Sequence, residues 1–276
     1  MAVCEMSWQS DSLGKQSKAT IIVPQGTSGP FPVLYLLHGR GDDHTNWTRF
    51  TALERYVADL PLIVVMPDGA RGFYCDSVTN PLLAYESFIV KDLIAFVDAT
   101  FQTKANRENR VVAGLSMGGY GATKLALKHP HLFGAAVGHS GVYKKYNERA
   151  PWLNADEQRE VASILGDENE SDANDNDVFT LAQNLANEYS KSRQDAHHLP
   201  ELRLPALRLP AMRFDCGTDD YLIEDNRSWH AHLQNLNIPH EYQEHSGAHN
   251  WEYWDKHIPD TLNFFARYLK LNEPRA

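Results

Sequence analysis

Cysteine is scarce in this chain: three residues in 276, at positions 4, 75 and 216. An odd number, far apart and without a C-x-x-C, excludes a disulfide framework and a cysteine-built metal site. It suits free thiols in a reducing cytoplasm. Basic residues are also few, 26 Lys and Arg against 36 Asp and Glu, for a net charge of -10. Nucleic acid needs a basic face, so it is excluded as the main partner. Long apolar runs are absent. Even Val33–Leu37, fully apolar, falls far short of the ~20 residues of a membrane span. Met1–Ser17 is polar and lacks the charged start and apolar core of a signal peptide. What remains is ordinary globular composition, 42% hydrophobic and 22% charged, enough for a sizeable core.

Apolar, β-branched runs alternate with helical patterns. The runs predict strands over Ala19–Pro24, Pro32–Leu37, Leu62–Met66, Arg110–Ala113, Ala135–Gly138, Met212–Cys216 and His240–Glu244. Helices are predicted over Trp47–Asp59, Tyr85–Phe101, Tyr120–Lys128, Asp225–Asn235 and Trp251–Leu271. This rhythm, with fully apolar strands, predicts an α/β fold: a mostly parallel twisted sheet with helices on both faces. The whole chain, 1–276, reads as a single domain. One segment breaks the rhythm. Lys144–Leu209 is long, charged and irregular, and reads as a cap-like insertion over the pocket, with a helix over Val178–Tyr189. Its acidic stretch, Asp167–Asp177, reads as a solvated loop. It lacks the central Gly and closing Glu of an EF-hand loop, so no calcium site is assigned.

The most informative stretch is Arg110-Val-Val-Ala-Gly-Leu-Ser-Met-Gly-Gly-Tyr-Gly-Ala122. It holds Gly114-Leu-Ser-Met-Gly118, a G-x-S-x-G, between an apolar strand and a helix-compatible run. That context is the one a nucleophile elbow requires: a strained turn, flanking glycines, and a serine hydroxyl projected above the sheet edge. Ser116 is therefore the candidate nucleophile. It needs a base and a group to orient that base, and both should follow in chain order, acid then histidine. Phe214-Asp-Cys-Gly-Thr-Asp-Asp-Tyr-Leu222 follows the sixth predicted strand. Position favours Asp220 as the acid, with Asp219 a close rival that could instead cap the next helix. Among 13 histidines, His249 stands out. It lies in a Gly-containing loop between the last strand and the last helix, with His245 the alternative at the strand end. Asn250 suits the cap of that helix.

The oxyanion hole needs backbone N–H groups. One is that of Met117, after the nucleophile; the other comes from the loop His38-Gly39-Arg40-Gly41. Arg40 is the expected donor, with Gly39 and Gly41 letting backbone approach the acyl group and His38 bracing the loop. Gly39, Trp47, Phe73, Tyr74, Tyr143, Tyr221 and Trp251 are candidates for lining the substrate pocket. Cys75 is a poor nucleophile candidate, because no base adjoins it in sequence.

At these residues the chain resembles the esterase D-like α/β hydrolases. That group includes S-formylglutathione hydrolases, tributyrin-type carboxylesterases, feruloyl esterases and mycolyltransferases. The matching segments are Tyr35–Gly41 with Trp47, Val65–Gly69, Gly114–Gly121, His139–Gly141, Cys216–Leu222 and Gly247–Trp254. They run in family order across almost the whole chain. The resemblance implies an α/β-hydrolase fold, Ser116 as nucleophile, Asp220 rather than Asp219 as acid, His249 as base, and Met117 and Arg40 as oxyanion donors. It implies a serine carboxylesterase acting on a small-molecule ester of short acyl chain, with no cofactor and no metal. A thioesterase or feruloyl esterase is the alternative within the group. An acyltransferase or a catalytically silent binding protein is the alternative outside it. The His38–Arg40 loop differs from that of eukaryotic S-formylglutathione hydrolases, and the acidic stretch 167–177 has no counterpart in the shared motifs. The tributyrin-type branch is the closer likeness. Oligomeric state, a homo-oligomer included, is left open by the sequence.

Overall fold

The computed structural model describes residues 1–144, 153–166, 175–198 and 207–271, the last six residues of the third segment as backbone only. Its centre is an eight-stranded sheet. The strands are β1 (Ala2–Ser10), β2 (Lys15–Val23), β3 (Val33–Leu37), β4 (Ile63–Pro67), β5 (Arg110–Leu115), β6 (Ala135–His139), β7 (Ala211–Gly217) and β8 (Glu241–His245). Their spatial order is β1-β2-β4-β3-β5-β6-β7-β8. The pairings of β1 with β2 and of β2 with β4 are antiparallel, and all others are parallel. The central strands β3, β4 and β5 are buried at every residue, as a sheet covered on both faces requires.

Side-chain alternation sorts the core into two halves. From β3, Val33, Tyr35 and Leu37 join Phe88, Val97, Leu125 and Trp229 on one face. Leu34 and Leu36 join Trp47, Leu53, Trp254, Ile258 and Phe265 on the other. The second face is covered by the short helices α1 (Asn46–Phe50) and α2 (Leu53–Tyr56) and, far along the chain, by the long C-terminal helix.

Strand β1 was not among the predicted strands; the sequence reading noted only that the N-terminus is polar. Its residues alternate between half-buried and exposed over the whole strand. Glu5, Ser7 and Gln9 face solvent, so mean polarity hid a period-2 edge strand. The helix expected over Trp47–Asp59 is broken. Thr51 is extended, its hydroxyl bonds the Trp47 carbonyl, and the Ala52 N–H is taken by Asp255 at 2.7 Å. The expected helix over Tyr85–Phe101 forms as α3 (Tyr85–Ser87), a π-helical stretch over Phe88–Leu93, and α4 (Ile94–Thr100). Asp92, inside the π stretch, accepts from Ser12 N at 2.9 Å and Ser10 Oγ, pinning it to the β1–β2 hairpin.

After β5 come α5 (Met117–Lys128), α6 (Ala155–Leu165), α7 (Val178–His198), α8 (Ile223–Asn235) and α9 (Trp251–Leu269). Helix α6 was not read from the sequence. Asn154 starts it with a capping box: its side chain takes the Asp156 and Glu157 N–H groups, and Glu157 returns a bond to the Asn154 N–H. Helix α7 runs well past the expected Tyr189. At its start Asp177 accepts from Thr180 N and Oγ1, so the end of the acidic stretch serves as a helix cap. Residues 167–174 of that stretch and 199–206 of the segment lie outside the described residues.

Candidate active site

The loops after β5, β7 and β8 carry Ser116, Asp220 and His249, and the loop after β3 carries Gly39 and Arg40. Strand β5 ends at Leu115, and Ser116 turns the chain directly into α5. Ser116 has φ 53° and ψ -116°, a region that L-residues other than Gly occupy only under constraint. The constraints are visible. The Ser116 N–H donates to the His139 carbonyl at 2.9 Å, and the Ser116 carbonyl accepts from Tyr120 N at 3.0 Å. Backbone packs on backbone around the turn. A Cβ on Gly114 would lie 2.4 Å from the Gly118 oxygen, and one on Gly118 would lie 2.5 Å from the Leu37 oxygen. No side chain fits at either position.

The loop after β7 carries both candidate acids, and they face opposite ways. Asp220 is 2% exposed, whereas Asp219 is exposed. Asp220 Oδ1 accepts the Leu222 N–H at 2.8 Å, and its Oδ2 lies 2.8 Å from His249 Nδ1. The Asp219 backbone N–H instead holds the Gly247 carbonyl at 2.9 Å. That bond ties the acid loop to the loop that carries His249. The two loops touch because Gly217 has no Cβ, which would lie 2.3 Å from the Gly247 oxygen. Asn250 accepts from Tyr253 N at 3.0 Å and caps α9.

His249 Nε2 lies 3.0 Å from Ser116 Oγ. The structure thus joins Ser116, His249 and Asp220 in one hydrogen-bonded chain. An ionised Asp220 only accepts, so the imidazole proton sits on Nδ1 and Nε2 is free to accept from the serine hydroxyl. The ring is held edge-on to Trp254 at 5.0 Å and lies beside Tyr221 at 4.6 Å. His245 is absent from this chain: its ring stacks on His257 at 4.1 Å.

The loop Gly39–Arg40 lies against the serine. A Cβ on Gly39 would stand 3.7 Å from the Ser116 Cβ and 2.6 Å from Leu115 Cδ1. The Met117 N–H, first in its helix, has no intrahelical acceptor. His38, 1% exposed, braces the loop. Its Nε2 accepts the Gly69 N–H at 2.8 Å, so its Nδ1–H donates to the Gly39 carbonyl at 2.7 Å. Burial holds the His38 pKa below its ordinary value, which keeps the ring neutral for both bonds. Beside it, the half-buried Asp42 has its carboxyl pKa raised by burial, and accepts from Asn46 Nδ2 at 2.6 Å.

The expected pocket residues divide. Tyr221 is 56% exposed next to His249, and Trp251 is partly exposed and stacks on the exposed Phe50. Trp47 and Tyr143 are fully buried. Trp47 Nε1 donates to the Leu37 carbonyl at 3.1 Å, supporting β3 from beneath. Tyr143 stacks on Trp229, and its hydroxyl lies 2.8 Å from Thr123 Oγ1. Tyr74 is likewise buried, donating to the His38 carbonyl at 3.0 Å, and Phe73 packs edge-on against Tyr120. Cys75 does have a basic neighbour, which the sequence order concealed. Lys124 Nζ is 3.0 Å away, but burial raises the thiol pKa and the pair is sealed from solvent.

The sequence missed the residues that sit behind the site. His139 Nδ1 lies 2.9 Å from Asp215 Oδ1, both fully buried, and Tyr253 OH donates to the same oxygen at 3.0 Å. This second His–Asp pair braces the strand whose His139 carbonyl holds the Ser116 N–H. Among the described residues one group could offer three metal ligands, His245, His257 and Asp260. The two imidazoles are stacked within 14° of parallel, so their in-plane lone pairs do not converge on one point.

Comparisons with known proteins agree with this architecture. The family model named Esterase matches residues 10–265. An acetyl esterase from Caldicellulosiruptor saccharolyticus is 26% identical, the match covering 97% of this chain and 99% of that protein. The fluorophosphonate-binding serine hydrolase FphF of Staphylococcus aureus superposes with a TM-score of 0.77 at 25% identity, over 95% of this chain and 97% of that one. An S-formylglutathione hydrolase, FrmB, of the same organism superposes with a TM-score of 0.76 at 25% identity, over 95% and 98%. This chain is an α/β hydrolase and belongs to the Esterase family of carboxylic ester hydrolases.

Proposed function

We propose that the chain hydrolyses short-chain acyl esters of small alcohols through an acyl-enzyme on Ser116. The supporting observation is the unbroken chain from Asp220 Oδ2 to His249 (2.8 Å) and from His249 to Ser116 Oγ (3.0 Å). Ser116 Oγ attacks the ester carbonyl as His249 Nε2 takes its proton. Buried Asp220 holds the imidazole and stabilises its charged form. The oxyanion lies between the Met117 and Arg40 N–H groups, each such donor typically worth about 100-fold or more. His249 passes its proton to the departing alkoxide. It then activates the water that frees the acid and restores Ser116. Tyr221 and Trp251 flank the leaving group. A short acyl chain is supported by the acetyl esterase relative, which matches nearly end to end.

In this reading the chain is one catalytic domain, and 144–209 is its cap. Three free thiols, at Cys4, Cys75 and Cys216, suit a cytoplasmic setting. A thioester of the S-formylglutathione type is the second reading, favoured by the likeness to the staphylococcal enzyme of that name. A panel varying acyl length and leaving group, with a thioester and a feruloyl ester, separates the two. Ser116→Ala should abolish p-nitrophenyl acetate turnover and labelling by a serine-directed phosphonate. Full turnover by that variant would overturn the proposal.

A further inference from the structure

The Arg40 side chain reaches across to α6. Its Nη1 lies 3.0 Å from Glu157 Oε1 and its Nη2 lies 2.8 Å from Glu160 Oε2. One guanidinium therefore spans two carboxylates a helical turn apart. Both carboxylates are held from a second side. Glu157 Oε2 accepts the Asn154 N–H at 3.0 Å as part of the capping box. Glu160 is gripped by Arg71, with Nε at 2.8 Å from Oε1 and Nη2 at 2.6 Å from Oε2. Helix α6 is fixed further by its own backbone: the Ser163 carbonyl accepts Ser77 Oγ at 2.7 Å and Thr79 Oγ1 at 2.9 Å, and the Ile164 carbonyl accepts Val78 N at 3.3 Å.

The loop on the other end of this bridge needs an anchor. Arg40 stands between Gly39 and Gly41, the latter at φ +91°. Two glycines give the loop more conformational freedom than any other flanking pair. His38 holds the Gly39 carbonyl, which also takes the Asp42 N–H at 3.2 Å, and Asn46 ties both Asp42 and the Asp43 N–H. Among the described residues, the bonds to α6 are the side-chain restraint on Arg40 itself, the residue whose peptide N–H faces the oxyanion in the proposed mechanism.

We infer that Glu157 and Glu160 are positioning residues for that N–H: α6 clamps the Arg40 guanidinium and so holds the Arg40 peptide in register with Ser116. The inference rests on the oxyanion role proposed for Arg40. It gives the 144–209 segment a catalytic consequence besides covering the site. The clamp is partly open to solvent, with the Arg40 side chain 18% exposed and Glu160 35%. Salt should therefore weaken it.

The test uses the full chain with the double substitution Glu157→Gln and Glu160→Gln, p-nitrophenyl acetate as substrate, and an alkyl boronic acid as a mimic of the tetrahedral oxyanion. The expected result is a fall in kcat of roughly 10-fold, below the ~100-fold of a deleted donor, with KM within twofold. Boronic acid affinity should fall by the same factor as kcat. Wild-type kcat should decline between 0.05 and 1 M NaCl, and the variant's should not. If the double variant is unstable, the salt dependence of the folded wild type still decides. Unchanged kcat and boronic acid affinity in the folded variant, or a salt-independent wild-type kcat, would overturn the clamp. Ser116→Ala separates this from failure of the esterase mechanism: if that variant keeps its turnover, the mechanism itself is wrong.

Discussion

Asp220→Asn is the substitution whose outcome is most tightly determined by geometry. Asn has almost the same shape, so the site should keep its fold. Its amide, however, cannot choose its orientation freely. The Leu222 N–H, 2.8 Å from Asp220 Oδ1, needs an acceptor, and only the amide oxygen supplies one. The NH2 group must then face His249 Nδ1, where Asp220 Oδ2 now sits at 2.8 Å. An NH2 donates, so Nδ1 becomes the acceptor and the imidazole proton moves to Nε2. That nitrogen, 3.0 Å from Ser116 Oγ, then donates to the serine and cannot take its proton. General-base assistance is typically worth 10²–10⁴-fold, and a tautomer inverted this way in a serine protease costs about 10⁴. The expected loss in kcat is therefore about 10³–10⁴, or roughly 4–5.5 kcal/mol of transition-state stabilisation. KM for p-nitrophenyl acetate should stay within a few-fold. Asp219→Asn, at the exposed neighbour, should stay within about twofold of wild type, because only its backbone N–H is used. Steady-state kinetics on the three proteins decides. Asp220→Asn within tenfold of wild type, or Asp219→Asn the weaker enzyme, would refute the orientation argument.

Other outcomes follow from buried groups. Glu86 accepts from Lys124 at 2.6 Å and lies 2.8 Å from His129 Nε2, with Lys124 fully buried. Glu86→Gln strands that ammonium, so urea unfolding should show a loss of about 3–5 kcal/mol; a loss under 1 kcal/mol would contradict it. Gly118→Ala should cripple both folding and turnover, since the new Cβ meets the Leu37 and His38 carbonyls at 2.5 and 2.7 Å. A soluble, fully active variant would show that the elbow can yield. Tyr143→Phe should cost about 1 kcal/mol of stability with KM unchanged, whereas Tyr221→Ala should raise KM and leave stability alone; the reverse pattern would reassign them. Burial depresses the His38 pKa, so as pH falls the unfolded chain binds that proton first. This contribution is whole above the ordinary His pKa of about 6.5 and shrinks below it, by up to ~1.4 kcal/mol per pH unit, until the folded pKa is reached. Denaturation at pH 7.5 and 5.5 should show a smaller drop for His38→Gln than for wild type; equal drops would remove His38 from the account.

Much of this protein is written in local order. Strand–helix alternation specifies the parallel core: a fully apolar five-residue run such as Val33–Leu37, rich in β-formers and followed by a glycine-containing loop, suits a strand buried on both faces. The turn at Ser116 is legible for a similar reason: Gly114 and Gly118 are needed where backbone touches backbone, whatever the rest of the chain does. His249 and Asp220 are legible as loop residues after late strands. Edge strand β1 was hidden because alternating polar residues look like a solvated terminus until a partner strand is present. Helix α6 was hidden inside a charged segment.

Tertiary structure decided everything that depends on which way a side chain faces across a long sequence gap. It put Asp220 inward and Asp219 outward, through a Gly217–Gly247 contact that no local pattern encodes. It buried Trp47 and Tyr143 completely. It brought Lys124 to Cys75, 49 positions away, and Glu157 to Arg40, 117 positions away. Local sequence sets backbone conformation through steric and hydrogen-bonding preferences a few residues long. The facing of a side chain is set by packing against partners that only the closed fold supplies.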